Sequence, residues 1–514
     1  MTLPDAKGTQ NKIKSLEQLA ETIATLRTSA KKTVHCHGVF DLLHIGHIRH
    51  FEEAKRLGDT LVVTVTPDRY VNKGPYHPAF TENLRVEAIA ALDCVDYVAI
   101  NDMPTAVEAI EVLKPDIYAK GSDYKDPLND VTGKIVHEEA AVNSVGGKIS
   151  FTDDIVFSSS SLVNKYLPVL PPEVREYLSN FSEKFSVDDI LRYLQNAQSL
   201  KVLVIGEAII DEYQYCTAIG KSSKEPLLVA QYQSSEKFAG GVLAVANHVS
   251  NFCDNVGMLT ILGAQDSQEE FVRQHVNDNV EKMFIYKADS PTIVKRRFIE
   301  SYLLQKLFEV YEMNDAGLNQ EQDLAVCKML EEVMPKYDLV IVVDYGHGML
   351  TDRAINLLAD KAPFLAVNTQ ANAANKGFNT ISRYPRADYI CLARHEIELE
   401  ERSRNRDIRD LILSMRRKVD CNNVVITLSK AGNISYSEAE AFVETPSLTE
   451  QVVDRMGAGD AVLALTSLCV AQRAPMAVVG FIGNVVGAQA VAVLGHKTST
   501  DRTLLFKSIA TLLK

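Results

Sequence analysis

Two short clusters carry side chains and spacings suited to handling phosphate. The first is His37-Gly38-Val39-Phe40-Asp41-Leu42-Leu43-His44-Ile45-Gly46-His47, where two histidines flank an Ile-Gly pair just after a strand-like stretch. A helix starting there offers free N–H groups and the positive end of its dipole to an anion. Gly46 allows close backbone approach, and both imidazoles can donate to phosphate oxygens. The second cluster is Asp454-Arg455-Met456-Gly457-Ala458-Gly459-Asp460, followed by the apolar run AVLALTSLCVAQ. A Gly-Ala-Gly-Asp turn at a helix start exposes backbone N–H groups as an anion hole. The aspartate beside it can take a proton from a substrate hydroxyl. Phosphoryl transfer needs both parts.

The elements that must position these clusters are legible from periodicity. Ile13, Leu16, Leu19, Ile23 and Leu26 have helical spacing, which predicts an amphipathic helix over residues 1–30. Thr33 to Cys36 reads as a strand, Ile45 to Leu57 as a helix and Leu61 to Val65 as a buried strand. Helix and strand then alternate through DYVAI and DIYAK, as in a parallel sheet covered by helices. Residues 167–198 contain prolines and two helical patterns but no strand, and read as a helical linker. A second α/β series opens with KVLVIGEAIID, read as one strand, and continues through VGMLTIL, DLVIVVDY, FLAVN, DYICL and NVVITLS.

The chain has 514 residues, 46% hydrophobic and 24% charged, which is globular composition in more than one domain. The net charge of −13 argues against a nucleic-acid partner. No run of about 18 apolar residues predicts a membrane span, and the polar N-terminus lacks a signal-peptide core. A cytoplasmic location is the expectation. The 8 cysteines form no CxxC pair, so neither a zinc site nor a disulfide framework is expected.

Residues 31–166 resemble the cytidylyltransferase-like family of nucleotidyltransferases, with the H-x-G-H string as its specific mark. The resemblance implies that His44 and His47 are catalytic. It implies a nucleotide site built from Gly38, Phe40, Asp41, Lys73, Arg85, Lys120, Ser158, Ser159 and Ser160. The implied reaction is attack of a substrate phosphate on the α-phosphate of a nucleoside triphosphate, releasing pyrophosphate.

Residues 199–514 resemble the ribokinase-like (PfkB) sugar kinases through the Gly-Ala-Gly-Asp turn and the distant Phe238-Ala239-Gly240-Gly241 segment. Asp460 then matches the catalytic base, and Gly457, Ala458 and Gly459 the anion hole. Asp211, Gly240, Gly241 and Asn247 match the sugar site, with Lys295 and Arg297 as a K-x-R pair for a sugar phosphate. Thr427, Ser429 and Gly432 resemble a nucleotide-binding turn, with Ser429 where the family has glycine. Two segments depart from the pattern. Ala393-Arg394-His395-Glu396 replaces N-x-x-E, leaving Glu396 to organise metal and phosphates, and Asn368-Thr369-Gln370 stands at a strand end. In Asp344-Tyr345-Gly346-His347-Gly348, His347 replaces a lysine.

The fold expected is therefore α/β: an N-terminal Rossmann-like nucleotidyltransferase domain and a C-terminal ribokinase-like domain with a small β lid. The pair is similar to the bifunctional heptose-7-phosphate kinase/heptose-1-phosphate adenylyltransferases, with the domain order reversed. That similarity implies Mg²⁺ and ATP as cofactors, and ATP or CTP as nucleotidyl donor. It implies sugar phosphates and nucleoside triphosphates as ligands, and a nucleotide-activated sugar for surface polysaccharide as product. The alternative is a monofunctional transferase whose kinase-like half binds sugar as a sensor or dimerisation module. By the same family analogy, residues 212–237 are expected to form a homodimer.

Overall fold

In the computed structural model, residues 9–71, 78–121, 134–152, 170–302, 304–449 and 452–513 are described. The chain divides into two compact units, residues 1–178 with 506–514, and residues 179–505.

The first unit alternates α1 (Leu16–Thr28), β1 (Thr33–Gly38), α2 (Ile45–Arg56), β2 (Thr60–Val65), α3 (Glu82–Ala90), β3 (Tyr97–Ile100), α4 (Ala106–Leu113), β4 (Ile117–Gly121), α5 (Lys134–Ser144) and β5 (Lys148–Thr152). The strands are all parallel, in the order β3-β2-β1-β4-β5. β2, TLVVTV, is buried throughout, as a β-branched run covered on both faces should be. Leu16, Leu19 and Ile23 of α1 pack with Val62, Ala99, Ala109 and Leu113, so this helix belongs to the core. The opposite face buries Val34, Cys36, Phe51, Val63 and Ile89. The chain reverses direction of winding between β1 and β4. The carboxyl ends of the strands at such a switch point are where open α/β sheets bind ligands.

Helices α6 (Pro172–Ser182) and α7 (Val187–Asn196) follow. The second unit has a main sheet of nine strands. These are β6 (Lys201–Gly206), β9 (Asn255–Gly263), β10 (Val280–Lys287), β13 (Leu339–Asp344), β14 (Leu365–Thr369), β15 (Tyr389–Ala393), β16 (Asn423–Thr427), β17 (Asn433–Ser437) and β18 (Ala441–Thr445). Their order is β10-β9-β6-β13-β14-β15-β16-β17-β18, parallel as far as β16 and antiparallel beyond. A separate four-stranded sheet, ordered β12-β11-β7-β8, forms the lid. It comprises β7 (Ala208–Lys221), β8 (Leu228–Gly241), β11 (Ile293–Glu300) and β12 (Gln305–Glu312). α8 (Val242–Ser250) starts directly from β8. α9 (Gln320–Val333), α10 (Asp352–Lys361) and α11 (Arg394–Glu400) also flank the main sheet in sequence. α12 (Ala458–Ala471) and α13 (Met476–Ala490) are almost wholly apolar and buried.

The stretch KVLVIGEAIID, expected as one strand, is two. The chain leaves the main sheet at Gly206 and enters the lid at Ala208. A Cβ on Gly206 would lie 2.3 Å from Val343 O, so only glycine passes β13 here. Among the described residues, no helix is long and apolar enough to cross a membrane.

His35 sits on β1 under the H-x-G-H turn, 1% exposed, with Nε2 2.7 Å from Thr64 Oγ1. Burial, with Lys120 adding to it, pushes its pKa down from 6.5 to about 3. Below pH 6.5 the unfolded chain therefore takes up a proton that the folded chain refuses, and stability falls as pH drops. One such group gives a slope of about 1.4 kcal/mol per pH unit. Between about pH 6 and pH 5, wild type should lose about 1.2 kcal/mol more than His35→Asn in urea unfolding. Parallel losses in the two proteins would contradict this.

Candidate active sites

In the first unit the chain turns from β1 into α2 through residues 39–44. Phe40 adopts φ +47° and folds its ring onto Gly38, where a Cβ would lie 2.9 Å from Phe40 Cζ. The Phe40 ring meets His47 edge-on, with centroids 5.3 Å apart. His44 is the N-cap of α2, and its Nδ1 accepts the Gly46 N–H at 3.1 Å. With Nδ1 as acceptor, the neutral ring carries its proton on Nε2. His47 stacks on His44, centroids 3.9 Å apart. Both imidazoles thus stand on the first turn of α2, at the carboxyl end of β1.

The loop before them is braced from two sides. Asp41, 1% exposed, accepts the N–H groups of Ala79 at 2.6 Å and Phe80 at 3.2 Å. Arg85 is buried on α3 and donates to Phe80 O, Val39 O and Asp68 Oδ1. Its guanidinium is therefore engaged by protein acceptors, as Lys120 is by Glu138 at 2.8 Å in a buried pair. Lys73, Ser158, Ser159 and Ser160 lie outside the described residues.

In the second unit, candidate residues gather at the carboxyl ends of the main-sheet strands and on the lid. Asp211 on β7 is buried, with Oδ1 paired to Arg297 on β11. Arg297 also holds Glu309 at 3.0 Å. A Cβ on Gly240 would fall 2.3 Å from Asp211 Oδ2, so the absence of a side chain there lets the carboxylate sit against β8. Gly241, φ +61°, turns the chain into α8. Lys295 is the register partner of Asp211, and its buried ammonium lies over the rings of Tyr311 and Tyr345 at 5.2 and 5.5 Å. Burial holds its pKa below the usual lysine range.

Gly457, φ +78°, is the N-cap of α12, and a Cβ on Gly459 would meet open space. Asp460, 8% exposed, accepts the Tyr345 hydroxyl on Oδ1 at 2.7 Å. Burial raises its carboxyl above the usual range, with His496 and the Tyr345 bond pulling it back. Thr427 ends β16, and the turn beyond it has Ser429 at φ +56° and Gly432 at φ +88°. A Cβ on Gly432 would lie 2.0 Å from Thr445 O, so this turn packs tightly. Glu396 on α11 accepts the N–H groups of Ala393 at 2.7 Å and Ala371 at 3.2 Å, and burial pushes it up to about 7. His347 is pushed down to about 4 by burial, so it does not supply the charge of the lysine it replaces.

The Asn247 amide is held by protein groups. It bonds His275 O at 2.8 Å and the Asn277 N–H at 2.9 Å. It lines a cavity of about 680 Å³ with Asn251, Asn277 and His496, the last of which also faces Asp211 and Asp460.

Two residues of this region escaped the sequence reading. Glu207, fully buried, accepts the N–H groups of Tyr345 and His347, both at 3.0 Å, and its pKa is pushed up to about 7 by burial and by Asp344. A carboxylate inside an apolar strand run was the available signal. His496 stands 3.4 Å from Asp211 and 3.8 Å from Asp460, and nothing in its local sequence marks it.

Known proteins match both units. Residues 35–166 match the cytidylyltransferase-like family. "Bifunctional protein HldE" of Citrifermentans bemidjiense is 41% identical over 167 residues, 32% of this chain and 32% of that protein. Its counterpart in Campylobacter jejuni is 44% identical over 131 residues, 24% of this chain and 28% of that protein. The matches thus span about a third of these relatives' own length. A mutant phosphofructokinase-2 from Escherichia coli shares the fold, with TM-score 0.51 and 14% identity over 61% of this chain and all of that one. Residues 199–503 match the family described as pfkB family carbohydrate kinase. With more than half its length inside that match, the chain belongs to the pfkB family of carbohydrate kinases.

Proposed function

We propose that the chain makes a nucleotide-activated sugar in two steps. The second unit phosphorylates a sugar phosphate with ATP, and the first couples the new phosphate to a nucleotide, releasing pyrophosphate. The carrying observation is that Asp211 and Asp460 each give one carboxylate oxygen to a protein donor and turn the other toward one spot beside the Gly457 turn. A sugar held there by Asp211 would present its hydroxyl to Asp460. The proton passes to Asp460 as the hydroxyl oxygen attacks the γ-phosphorus, the bond to the β–γ bridging oxygen breaks with ADP leaving, and the Gly457–Gly459 N–H groups take up the developing charge. Lys295, in no ion pair among the described residues, suits the phosphate already on the sugar.

Magnesium fits as an ion carried by the triphosphate, the usual arrangement for this small, water-retaining cation. Among the described residues no cluster of three metal-ligating side chains exists. Both oxygens of Glu396 hold backbone N–H groups, which suits contact with metal-bound water. The ion would neutralise phosphate charge.

In the first unit, His44 Nε2–H and His47 are the donors proposed for the α-phosphate oxygens. The nucleotide is ATP or CTP. The similarity to proteins named bifunctional supports two activities in one chain, and the resemblance to heptose-7-phosphate kinase/heptose-1-phosphate adenylyltransferases supports a heptose as the sugar. The lid also exposes Leu228, Tyr232, Phe308 and Val310, which supports a homodimer through residues 212–237.

Three measurements test this reading. His47→Ala should lower pyrophosphate release about 10²–10³-fold, the loss of one oxyanion donor, while sugar-dependent ATP turnover stays intact. Undiminished nucleotidyl transfer would remove His47 from the mechanism. Asp460→Asn keeps shape but not basicity, so ATP turnover with heptose 7-phosphate should fall about 10²–10⁴-fold while sugar binding persists. Wild-type protein that binds the sugar yet never consumes ATP would favour the sensor alternative. Light scattering should give twice the monomer mass; a monomer at micromolar concentration refutes the dimer.

A further inference from the structure

One imidazole answers both carboxylates of the kinase site. Asp211 gives Oδ1 to Arg297, and Asp460 gives Oδ1 to the Tyr345 hydroxyl. Their other oxygens lie 3.4 and 3.8 Å from His496 Nε2. The ring also packs on the anion-hole glycine. A Cβ on Gly457 would fall 2.4 Å from His496 Cε1 and 2.6 Å from Nδ1. The side chain is buried, only 7% exposed. His496 therefore occupies two places that the reaction needs. It faces the oxygens to which acceptor hydroxyls would donate, and it covers the turn where γ-phosphate oxygens would find N–H groups.

The backbone that carries the ring is anchored. Gly495, φ +57°, donates its N–H to Asp454 Oδ2 at 3.1 Å. Asp454 also accepts from Tyr213 of β7 at 2.8 Å and Lys306 of β12 at 2.6 Å. The imidazole is thus tied to the lid strands by way of its own neighbour.

We propose that His496 is a stopper of the phosphoryl-transfer site, standing where the acceptor hydroxyl and a phosphate oxygen belong, and displaced by the incoming sugar. The inference rests on the kinase reading above. Its consequence is coupling of ATP use to sugar. The ring, 3.8 Å from Asp460 Oδ2 on a side chain only 10% exposed, would keep an attacking water from that oxygen. With the ring removed, a water proton passes to Asp460 and the water oxygen attacks the γ-phosphorus. The bond to the β–γ bridging oxygen breaks, leaving ADP, inorganic phosphate and one released proton. Displacement also weakens sugar binding, because only molecules with the ring withdrawn are competent.

The test uses the full chain as wild type, His496→Ala and His496→Asn; the asparagine variant serves if alanine fails to fold. MgATP hydrolysis is measured without sugar, and heptose 7-phosphate binding by calorimetry. If the ring is withdrawn in about one molecule in ten, sugar-free hydrolysis should rise about tenfold and sugar affinity should tighten by a similar factor. The hydrolysis rate decides: no rise in either folded variant overturns the stopper, even where sugar binding changes. Absence of sugar-dependent ATP turnover in wild type would instead overturn the kinase reading, and the two failures are read from separate measurements.

Discussion

Burying a carboxylate costs several kcal/mol unless donors surround it, and Glu207 meets that condition only if three segments converge. It lies at the corner where β6 ends in the main sheet and β7 begins in the lid. Its oxygens accept the N–H groups of Tyr345 and His347, from the turn that follows β13. Satisfying this one group fixes the lid's departure point and the shape of that turn together. The turn in turn sets the Tyr345 hydroxyl on Asp460, 115 residues further along the chain. One carboxylate thereby aligns Asp460, the tyrosine that bonds it and the strand that carries Asp211.

The first unit solves the equivalent problem with a cation as well as an acid. Arg85 and Asp41 connect the loop after β1 to the chain around Ala79 and Phe80, one by donating and the other by accepting. An arginine's five donors suit this bracing, since backbone carbonyls left by a left-handed Phe40 need partners. The turn so braced carries its two histidines stacked on one another.

Much of this was legible in the sequence, for physical reasons. Helix–strand alternation gave the α/β class, because a parallel sheet demands crossovers. The H-x-G-H and Gly-Ala-Gly-Asp strings lie at helix starts, where backbone donors must be free. What stayed hidden was set by distant packing. The break at Glu207 looks like a continuous strand until β13 is placed beside it. β5, β17 and β18 carry too weak an apolar pattern to stand out. His496 lies 285 residues from Asp211 and 36 from Asp460, and no local period links them. Arg85 and Lys120 are cations in both views, but only the structure shows the acceptors they hold.

Asp454 shows what such a shared acceptor does mechanically. Its carboxylate joins Tyr213 and Lys306 from two lid strands to the N–H groups of Met456 and Gly495. Met456 directly precedes Gly457, the N-cap of α12, so the small sheet and the start of that helix share one acceptor. One carboxylate thus pins the small sheet to the segment that opens α12, a joint a single side chain wide.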